Sequence, residues 1–230
     1  AAPAEIAGTH IFYNNSKFDN YDAGASTADD LAIATDKQAL LPGEIGTLAN
    51  YTSYSRGING LMIDVQGLAS TSLAAAADFR FKVGNTSDPA AWNDAPAPTS
   101  ITVRSGQNPG DPDRVTILWP DNVIQNAWLQ VNMLATADTG LTEPYVFYFG
   151  NAIGEAGNQP GNTIVNATDE VLARNFPHGV LNPAAVDDRY DYNRDGLVNG
   201  TDQIIARGNQ TNPLTMLRLI SAPAGDALMA

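Results

Sequence analysis

The stretch Asp191-Tyr-Asn-Arg-Asp-Gly-Leu-Val-Asn-Gly-Thr-Asp202 decides how the C-terminal part of this chain folds. Its oxygen-bearing side chains have the spacing of a loop that wraps one Ca²⁺ ion, a hard cation that takes about six to eight oxygen ligands. Gly196 falls at loop position 6, where the backbone has to turn sharply. The alternative is a solvated turn rich in Asp, Asn and Gly. The pattern favours a calcium site with these ligands: Asp191, Asn193, Asp195, the carbonyl of Leu197, Asn199 and Asp202.

A second copy of this pattern lies upstream. Residues 165–175 align with residues 198–208, and Val, Asn, Thr, Asp, Ala and Arg recur in register, which indicates an internal duplication. Counting back from Asp169 places Asn158 at loop position 1, but Pro160 at position 3 has no side-chain oxygen and the turn glycine is missing. Upstream residues could supply the missing ligands. The copy is either a second calcium site or a structural pseudo-repeat, and its candidate ligands are Asn151, Glu155, Asn158, Asn162, Ile164, Asn166 and Asp169.

The surroundings of the two loops differ from those of a helix–loop–helix calcium sensor. The last ligand is Asp202 rather than Glu, and Pro183 makes the preceding segment a poor entering helix. Residues 202–207 predict a short exiting helix. Such a loop resembles one half of a dockerin type I repeat, and the resemblance covers roughly residues 150 to 220.

The dockerin resemblance implies a small α-helical domain that uses Ca²⁺ as its cofactor. It also implies binding to a cohesin-like sandwich through residues that flank loop position 12. An alternative is that the repeat pair docks on its own sandwich or on a neighbouring copy of the chain. The implied partner-binding residues are Thr168, Arg174, Thr201 and Arg207.

The long N-terminal part has the pattern of β structure. Short alternating or apolar runs are separated by clusters of Gly, Pro, Asn and Asp. They predict a mainly β fold with a β-sandwich, jelly-roll or Ig-like, over residues 1–150, followed by the dockerin-like domain over residues 151–230. A further strand is predicted over residues 45–51, and a turn or two of helix over residues 30–41. The clear runs are 10–13, 61–65, 79–83, 101–104, 114–119, 128–134 and 145–149. Four segments of the chain look like a module found in secreted proteins of planctomycete-like bacteria: 12–16, 50–60, 114–121 and 146–152.

Two features of the sandwich suggest binding sites. An acidic stretch that lacks strong regular structure is either a surface loop or a third calcium site, with the candidate ligands Asn14, Asp19, Asp22, Asp29 and Asp30. Aromatic side chains in loop-like contexts can stack on sugar rings. The candidate glycan contacts are Trp92, which is expected to be the most exposed, Tyr51 and Tyr54.

Composition limits the function classes. The 230 residues carry a net charge of −13, which argues against nucleic acid and anionic membranes as partners. No apolar run approaches membrane-spanning length, so we expect no membrane insertion. Cysteine is absent, so calcium would replace disulfides as a crosslink. The start Ala-Ala-Pro-Ala-Glu is typical of a chain end left by signal-peptidase cleavage, and it predicts secretion or a cell-surface location.

The sequence predicts a protein without catalytic activity. The two histidines, His10 and His178, lie far apart, and neither a nucleophile-elbow motif nor a phosphate-binding glycine loop is found. We therefore expect an extracellular calcium-binding protein that mediates assembly with other protein chains. The alternative is a carbohydrate-binding module fused to a dockerin, which would capture polysaccharide.

Overall fold

The computed structural model describes residues 2–108 and 110–224 and shows a mainly β chain. Ala1, Pro109 and residues 225–230, which the predicted domains include, lie outside the described residues. The strands are β1 (Glu5–Ile11), β2 (Tyr51–Thr52), β3 (Gly60–Gln66), β4 (Phe79–Gly84), β5 (Asn93–Asp94), β6 (Ser100–Arg104), β7 (Asp113–Leu118), β8 (Trp128–Met133) and β9 (Tyr145–Asn151).

The strands form two sheets, as predicted. One has four strands in the order β1-β3-β7-β6, and the other has five in the order β2-β9-β8-β4-β5. Neighbouring strands run antiparallel except β2 and β9, which are parallel. Each of the seven clear runs overlaps a strand, although the first strand begins five residues earlier than its run and ends at Ile11.

Two local predictions were wrong. Residues 45–51 form a short 3₁₀ turn, Leu48–Asn50, and only one residue of a strand, because the Asn50 side chain accepts hydrogen bonds from the backbone N–H and hydroxyl of Thr47 at 2.9 Å and closes a turn. Residues 30–41 hold only the end of a 3₁₀ turn over Thr27–Ala32, which Ser26 caps.

The main core lies between the two sheets. In the five-stranded sheet, Leu129 and Val131 of β8 and Phe147 and Phe149 of β9 point towards the four-stranded sheet and are fully buried. Trp128 alternates with them and lies on the opposite face. Burial of this apolar surface is the main force that holds the sheets together.

The outer face of the five-stranded sheet is also covered. Leu217 and Ile220, near the C-terminal end of the described chain, pack with Trp128 and Tyr148 on that face. The Trp128 indole N–H donates to the carbonyl of Arg218 at 2.7 Å, and the Gly46 N–H donates to that of Ile220 at 2.8 Å. The C-terminal segment therefore packs as part of the sandwich, although it follows the paired loops in sequence.

The helices are few and short. The exiting helix predicted for residues 202–207 is confirmed, and a second helix occupies the same place after the upstream loop; the two pack through Ala173 and Ala206. No helix in the described ranges is long and apolar enough to cross a membrane. The helices are α1 (Ala75–Asp78), α2 (Ala167–Asn175) and α3 (Gly200–Gly208), and the 3₁₀ turns are Lys17–Asp19, Thr27–Ala32, Leu48–Asn50 and Pro89–Ala91.

Candidate metal centre

The loop 191–202 turns where the sequence predicts. Gly196 has a φ of 76°, a left-handed conformation that glycine adopts without strain. Asp191 accepts the N–H of Gly196 at 2.8 Å and that of Asp195 at 3.2 Å, so its carboxylate holds the turn from inside. Both the first and the last carboxylate of the loop, Asp191 and Asp202, are fully buried.

Asp202 closes the loop onto its own beginning. One of its oxygens accepts the N–H of Tyr192 at 2.8 Å, and the other accepts the N–H of Asn199 at 2.9 Å. Asn199 in turn caps α3, because its side-chain oxygen accepts the N–H of Thr201 at 2.7 Å. The loop is thus held in a ring by its own carboxylates.

Three candidate ligands in the middle of the loop, Asn193, Asp195 and Leu197, are half-buried. The Asn193 amide donates to one oxygen of Asp195 at 2.9 Å, and the other oxygen of Asp195 accepts the N–H of Leu197 at 2.8 Å. A carboxylate oxygen has two lone pairs, so accepting one backbone N–H leaves capacity for another partner. The donor set of the loop consists only of carboxylate, amide and carbonyl oxygens, which is the chemistry that Ca²⁺ prefers.

The electrostatics of the loop are unfavourable for the protein alone. Burial raises the pKa of Asp191 to about 7, and the carboxylates of Asp202 and Asp195 contribute in the same direction, while Arg194 opposes them. Burial also raises the pKa of Asp202. Bringing a divalent cation close to these carboxylates would remove their mutual repulsion.

The structure does not by itself display a finished metal centre. Within residues 2–108 and 110–224, no group of three or more Asp, Glu, His or Cys side chains is arranged to hold a metal ion. In the loop 191–202 the carboxylates are occupied with backbone N–H groups of the loop. The donor types and the buried charge fit Ca²⁺, and the assignment of the ion stays a prediction.

The upstream loop repeats this geometry. Asp169 accepts the N–H of Asn166 at 2.8 Å and that of Ala156 at 3.0 Å, as Asp202 does with Asn199 and Tyr192. Ala156 therefore occupies the place of Tyr192, and the residue before it, Glu155, occupies the place of Asp191.

The equivalence changes the register of the upstream loop. It runs for fifteen residues from Glu155 to Asp169, against twelve from Asp191 to Asp202, so it contains an insertion of three. Counting back from Asp169 assumed equal lengths and placed Asn158 first. The register agrees at the other end, where the Asn162 side chain accepts the N–H of Ile164 at 3.0 Å, as Asp195 does with that of Leu197.

The buried donors of the upstream loop are incompletely satisfied. Glu155 is 1% exposed, and one of its carboxylate oxygens accepts the Tyr51 hydroxyl at 2.6 Å and the Gly157 N–H at 2.8 Å. Its other oxygen and the side-chain oxygen of Asn158 are buried with no hydrogen-bond partner in the described part of the chain. Burial raises the pKa of Glu155 and that of Asp169.

Asn151, a predicted ligand of this loop, uses its side chain within the sandwich. Its amide donates to the carbonyl of Tyr54 at 2.9 Å, and its oxygen accepts the N–H of Asn126 at 3.1 Å. These bonds hold the end of β9 in the sandwich and engage both the oxygen and the amide group of the side chain.

The backbone of each loop forms hydrogen bonds with the segment that follows the helix of the other loop. The segment after α2 pairs with the downstream loop through His178 and Val198, at 2.9 and 3.1 Å. The segment after α3 meets the upstream loop, where Thr211 donates to the carbonyl of Val165 at 2.9 Å. Because Val165 and Val198 are aligned in the duplication, the repeat recurs in the structure as well as in the sequence.

Arg194 fastens the downstream loop to the sandwich. It is 2% exposed and has a left-handed backbone, with a φ of 55°. Its guanidinium carbon lies 4.2 Å from the centre of the Tyr13 ring, and its terminal nitrogens donate to the carbonyl of Asp188 and to the Ser53 hydroxyl. Its own carbonyl accepts the N–H of Lys17 at 3.0 Å. Sequence reasoning missed this residue, because its partners are far away in the chain.

Comparison with known proteins finds no matching family model, no matching curated protein and no matching solved structure.

The implied partner-binding residues lie on the surface of the helix pair. Thr168 and Thr201 occupy equivalent positions in the first turns of α2 and α3, and both are exposed. Arg174 is also exposed, and Arg207 is exposed but forms an ion pair with Glu170 of α2. The two halves thus present similar side chains to solvent.

The predicted aromatic contacts for glycans were wrong in their exposure. Trp92 is only 7% exposed because its ring packs over Gly84 and against Tyr148. Tyr51 and Tyr54 are 2% and 0% exposed, and their hydroxyls bond to Glu155 and to the backbone of residues 14 and 15. None of the three rings offers a stacking face to a sugar.

The acidic stretch of the sandwich separates into two groups. Asn14, Asp19 and Asp29 are buried, and Asp22 is exposed beside them. Asp30 is not part of this group, contrary to the prediction, because its carboxylate pairs with Arg104 and Arg114 at 2.7 Å.

Proposed function

We propose that this chain is a non-catalytic, extracellular calcium-binding protein that mediates assembly with other protein chains. Ca²⁺ binds the loop 191–202 through Asp191, Asn193, Asp195, the Leu197 carbonyl, Asn199 and Asp202. The upstream loop offers a second set of oxygens, led by Glu155 and Asp169. The partner is a cohesin-like sandwich or a second copy of this chain.

One observation carries the calcium proposal. Each loop buries a carboxylate at its first and last position, and the last one also caps the following helix. A buried carboxylate without a charged partner is costly to the folded state, and burial of two such groups in each of two loops compounds the cost. A bound Ca²⁺ ion offsets this cost, whereas a solvated turn would leave the carboxylates in contact with water.

The assembly proposal depends on the exposed surface of the helix pair. The loops fix α2 and α3 against each other. The surface that carries Thr168 and Thr201 is therefore ordered before a partner binds, which reduces the entropy lost on binding. The alternative of polysaccharide capture is not favoured, because Trp92 and the two tyrosines proposed as contacts are buried.

The calcium proposal predicts a loss of affinity in Asp202→Asn. This change removes the charge of the ligand. The Asn side chain keeps one oxygen, which can accept the N–H of Asn199, while its NH₂ group takes the place of the oxygen that accepts the N–H of Tyr192. Isothermal calorimetry should show affinity at this site reduced more than about 100-fold, since even outer-shell residues contribute roughly 10–100-fold. The matched control is Asp187→Asn, an exposed aspartate just before the loop, which should bind as the wild type does. Unchanged affinity and stoichiometry in Asp202→Asn would refute the assignment.

Assembly is tested by mass photometry of the chain, alone and with a type I cohesin domain, in millimolar calcium and in EGTA. We expect a complex only with calcium. We also expect Thr168→Arg/Thr201→Arg to lose it, while the exposed sandwich variant Thr102→Arg keeps it. If the chain stays monomeric in calcium and does not bind cohesin, or if the double variant still forms the complex, this surface is not the binding site.

A further inference from the structure

The loop that follows β1, residues 12–32, contains the same capping arrangement of a serine and an aspartate twice. Ser16 and Ser26 each begin a 3₁₀ turn, and Asp19 and Asp29, three residues later, each accept the N–H of the capping serine, at 2.8 and 2.9 Å. Both aspartates are fully buried. The loop lies over the outer face of the four-stranded sheet, where Phe12 and neighbouring apolar residues form a small cluster.

Two buried oxygens in this loop lack partners. The Asn14 side chain is 3% exposed and is directed into the loop, since its amide donates to the carbonyl of Ala23 at 3.4 Å. Its oxygen, and the Asp29 oxygen that does not bond to Ser26, have no hydrogen-bond partner among the described residues. A buried oxygen without a partner is unfavourable, and most of all a carboxylate oxygen, so these two oxygens call for a partner from outside the chain, either an ion or a water molecule.

The charge around these oxygens is negative and uncompensated. Burial raises the pKa of Asp29 to about 6, and the carboxylates of Asp19, Asp22 and Asp30 contribute to the increase. Asp30 is neutralised by its two arginines. In contrast, Asp19, Asp22 and Asp29 form no ion pair with Lys, Arg or His anywhere in residues 2–108 and 110–224.

We propose that Asn14, Asp19 and Asp29, with Asp22 at the solvent side, form a calcium site within the sandwich. The ligand is a hard divalent cation, because every available donor is an oxygen. Ca²⁺ fits better than Mg²⁺, since Ca²⁺ accepts an irregular shell of protein oxygens, whereas Mg²⁺ keeps several of its waters and demands octahedral geometry. Three of its four side chains are carboxylates, of which only those of Asp19 and Asp29 are buried, and within residues 2–108 and 110–224 they are not already arranged around an ion position.

The site also has a structural consequence for the paired loops. The N–H of Lys17, within the same loop, bonds to the carbonyl of Arg194, and a side chain at Gly196 would collide with the Lys17 ammonium group. An ion held by Asp19 and Asp29 would therefore order the surface on which the loop 191–202 rests.

The test is the number of calcium ions bound per chain, measured by equilibrium dialysis with Ca²⁺ alone. Asp29→Asn keeps an oxygen for the Ser26 N–H and should bind one ion fewer than the wild type. Asp30→Asn changes the adjacent residue by the same charge and should keep the wild-type number. An Asp29→Asn protein that binds as many ions as the wild type, with the same affinity, would show that water satisfies these oxygens and would overturn the proposal.

A second measurement separates this site from the loop 191–202. In Asp191→Asn/Asp202→Asn, adding Asp29→Asn should remove one further ion and reduce the remaining rise in melting temperature on adding calcium. In EGTA, Asp29→Asn should melt no lower than the wild type, since it removes a buried charge. A wild type that binds no calcium would overturn both proposals, whereas an unchanged count on adding Asp29→Asn would overturn this one alone.

Discussion

At the scale of single residues, Arg194 joins the candidate metal centre to the sandwich. It occupies loop position 4, between two candidate ligands, and its side chain leaves the loop to lie on the Tyr13 ring. The ring in turn belongs to the main core. A single buried side chain thus links the geometry of the loop to the packing of the sheets, and the loop cannot leave the sandwich without exposing Tyr13.

Arg194→Ala should destabilise the whole chain by about 3 kcal/mol. A desolvated cation–π contact contributes about 2 kcal/mol, and the lost hydrogen bonds contribute about 1 kcal/mol. Urea unfolding in EGTA measures the effect on the protein without the contribution of calcium. The control is Arg189→Ala, which removes an exposed arginine from the same segment and should change the free energy of unfolding by less than about 0.5 kcal/mol. Equal midpoints for the two variants would show that Arg194 does not fasten the loop.

At the scale of secondary-structure elements, the features that depend on neighbouring residues could be predicted from the sequence, whereas those that depend on long-range contacts could not. The strands over 61–65 and 145–149 and the helix over 202–207 were predicted because alternation and capping residues are visible within a few residues. The insertion in the upstream loop was missed, because only the hydrogen bond from Ala156 to Asp169 shows that Glu155 comes first.

The burial of Trp92 shows why the rest could not be predicted. The residue lies between prolines in a segment that looks like an exposed loop, but it packs against Tyr148, which is far away in sequence. The packing of the C-terminal segment could not be predicted for the same reason, since no periodic pattern in residues 212–224 indicates that the segment covers the five-stranded sheet. Such contacts are decided by tertiary packing rather than by local propensity.

Leu217→Ala should show that this segment is part of the sandwich. Leu217 is 1% exposed and packs with Trp128, so its truncation should cost about 3 kcal/mol, within the range for buried leucines. Leu214, three residues earlier, is 83% exposed, and Leu214→Ala should cost less than about 0.5 kcal/mol. Thermal unfolding followed by tryptophan fluorescence compares the two variants, and similar losses in both would mean that residues 217–222 do not pack on the sheet in solution.

At the scale of the whole molecule, charge and packing oppose each other. The chain carries a net charge of −13 and no cysteine, and several of its carboxylates are buried in the loops that hold the helix pair to the sandwich. The loop that precedes α3 contacts the sandwich through Arg194, and the segment that follows α3 packs on the sandwich through Leu217. Calcium would thus stabilise the sandwich as well as the helix pair.

Removal of calcium should therefore lower the stability of the whole chain and loosen it in a defined order. Binding to the folded state alone stabilises it by about 2.7 kcal/mol when calcium is in hundredfold excess over its dissociation constant. In EGTA, the melting temperature should fall, and hydrogen exchange should rise first in residues 155–211. It should rise next in residues 13–17 and 53–55, which contact the loop 191–202 through Arg194 and Tyr192, while β3 and β7 in the centre of the four-stranded sheet should exchange last. Identical melting curves with calcium and with EGTA would contradict a stabilising ion, and increased exchange confined to the helix pair would contradict its coupling to the sandwich.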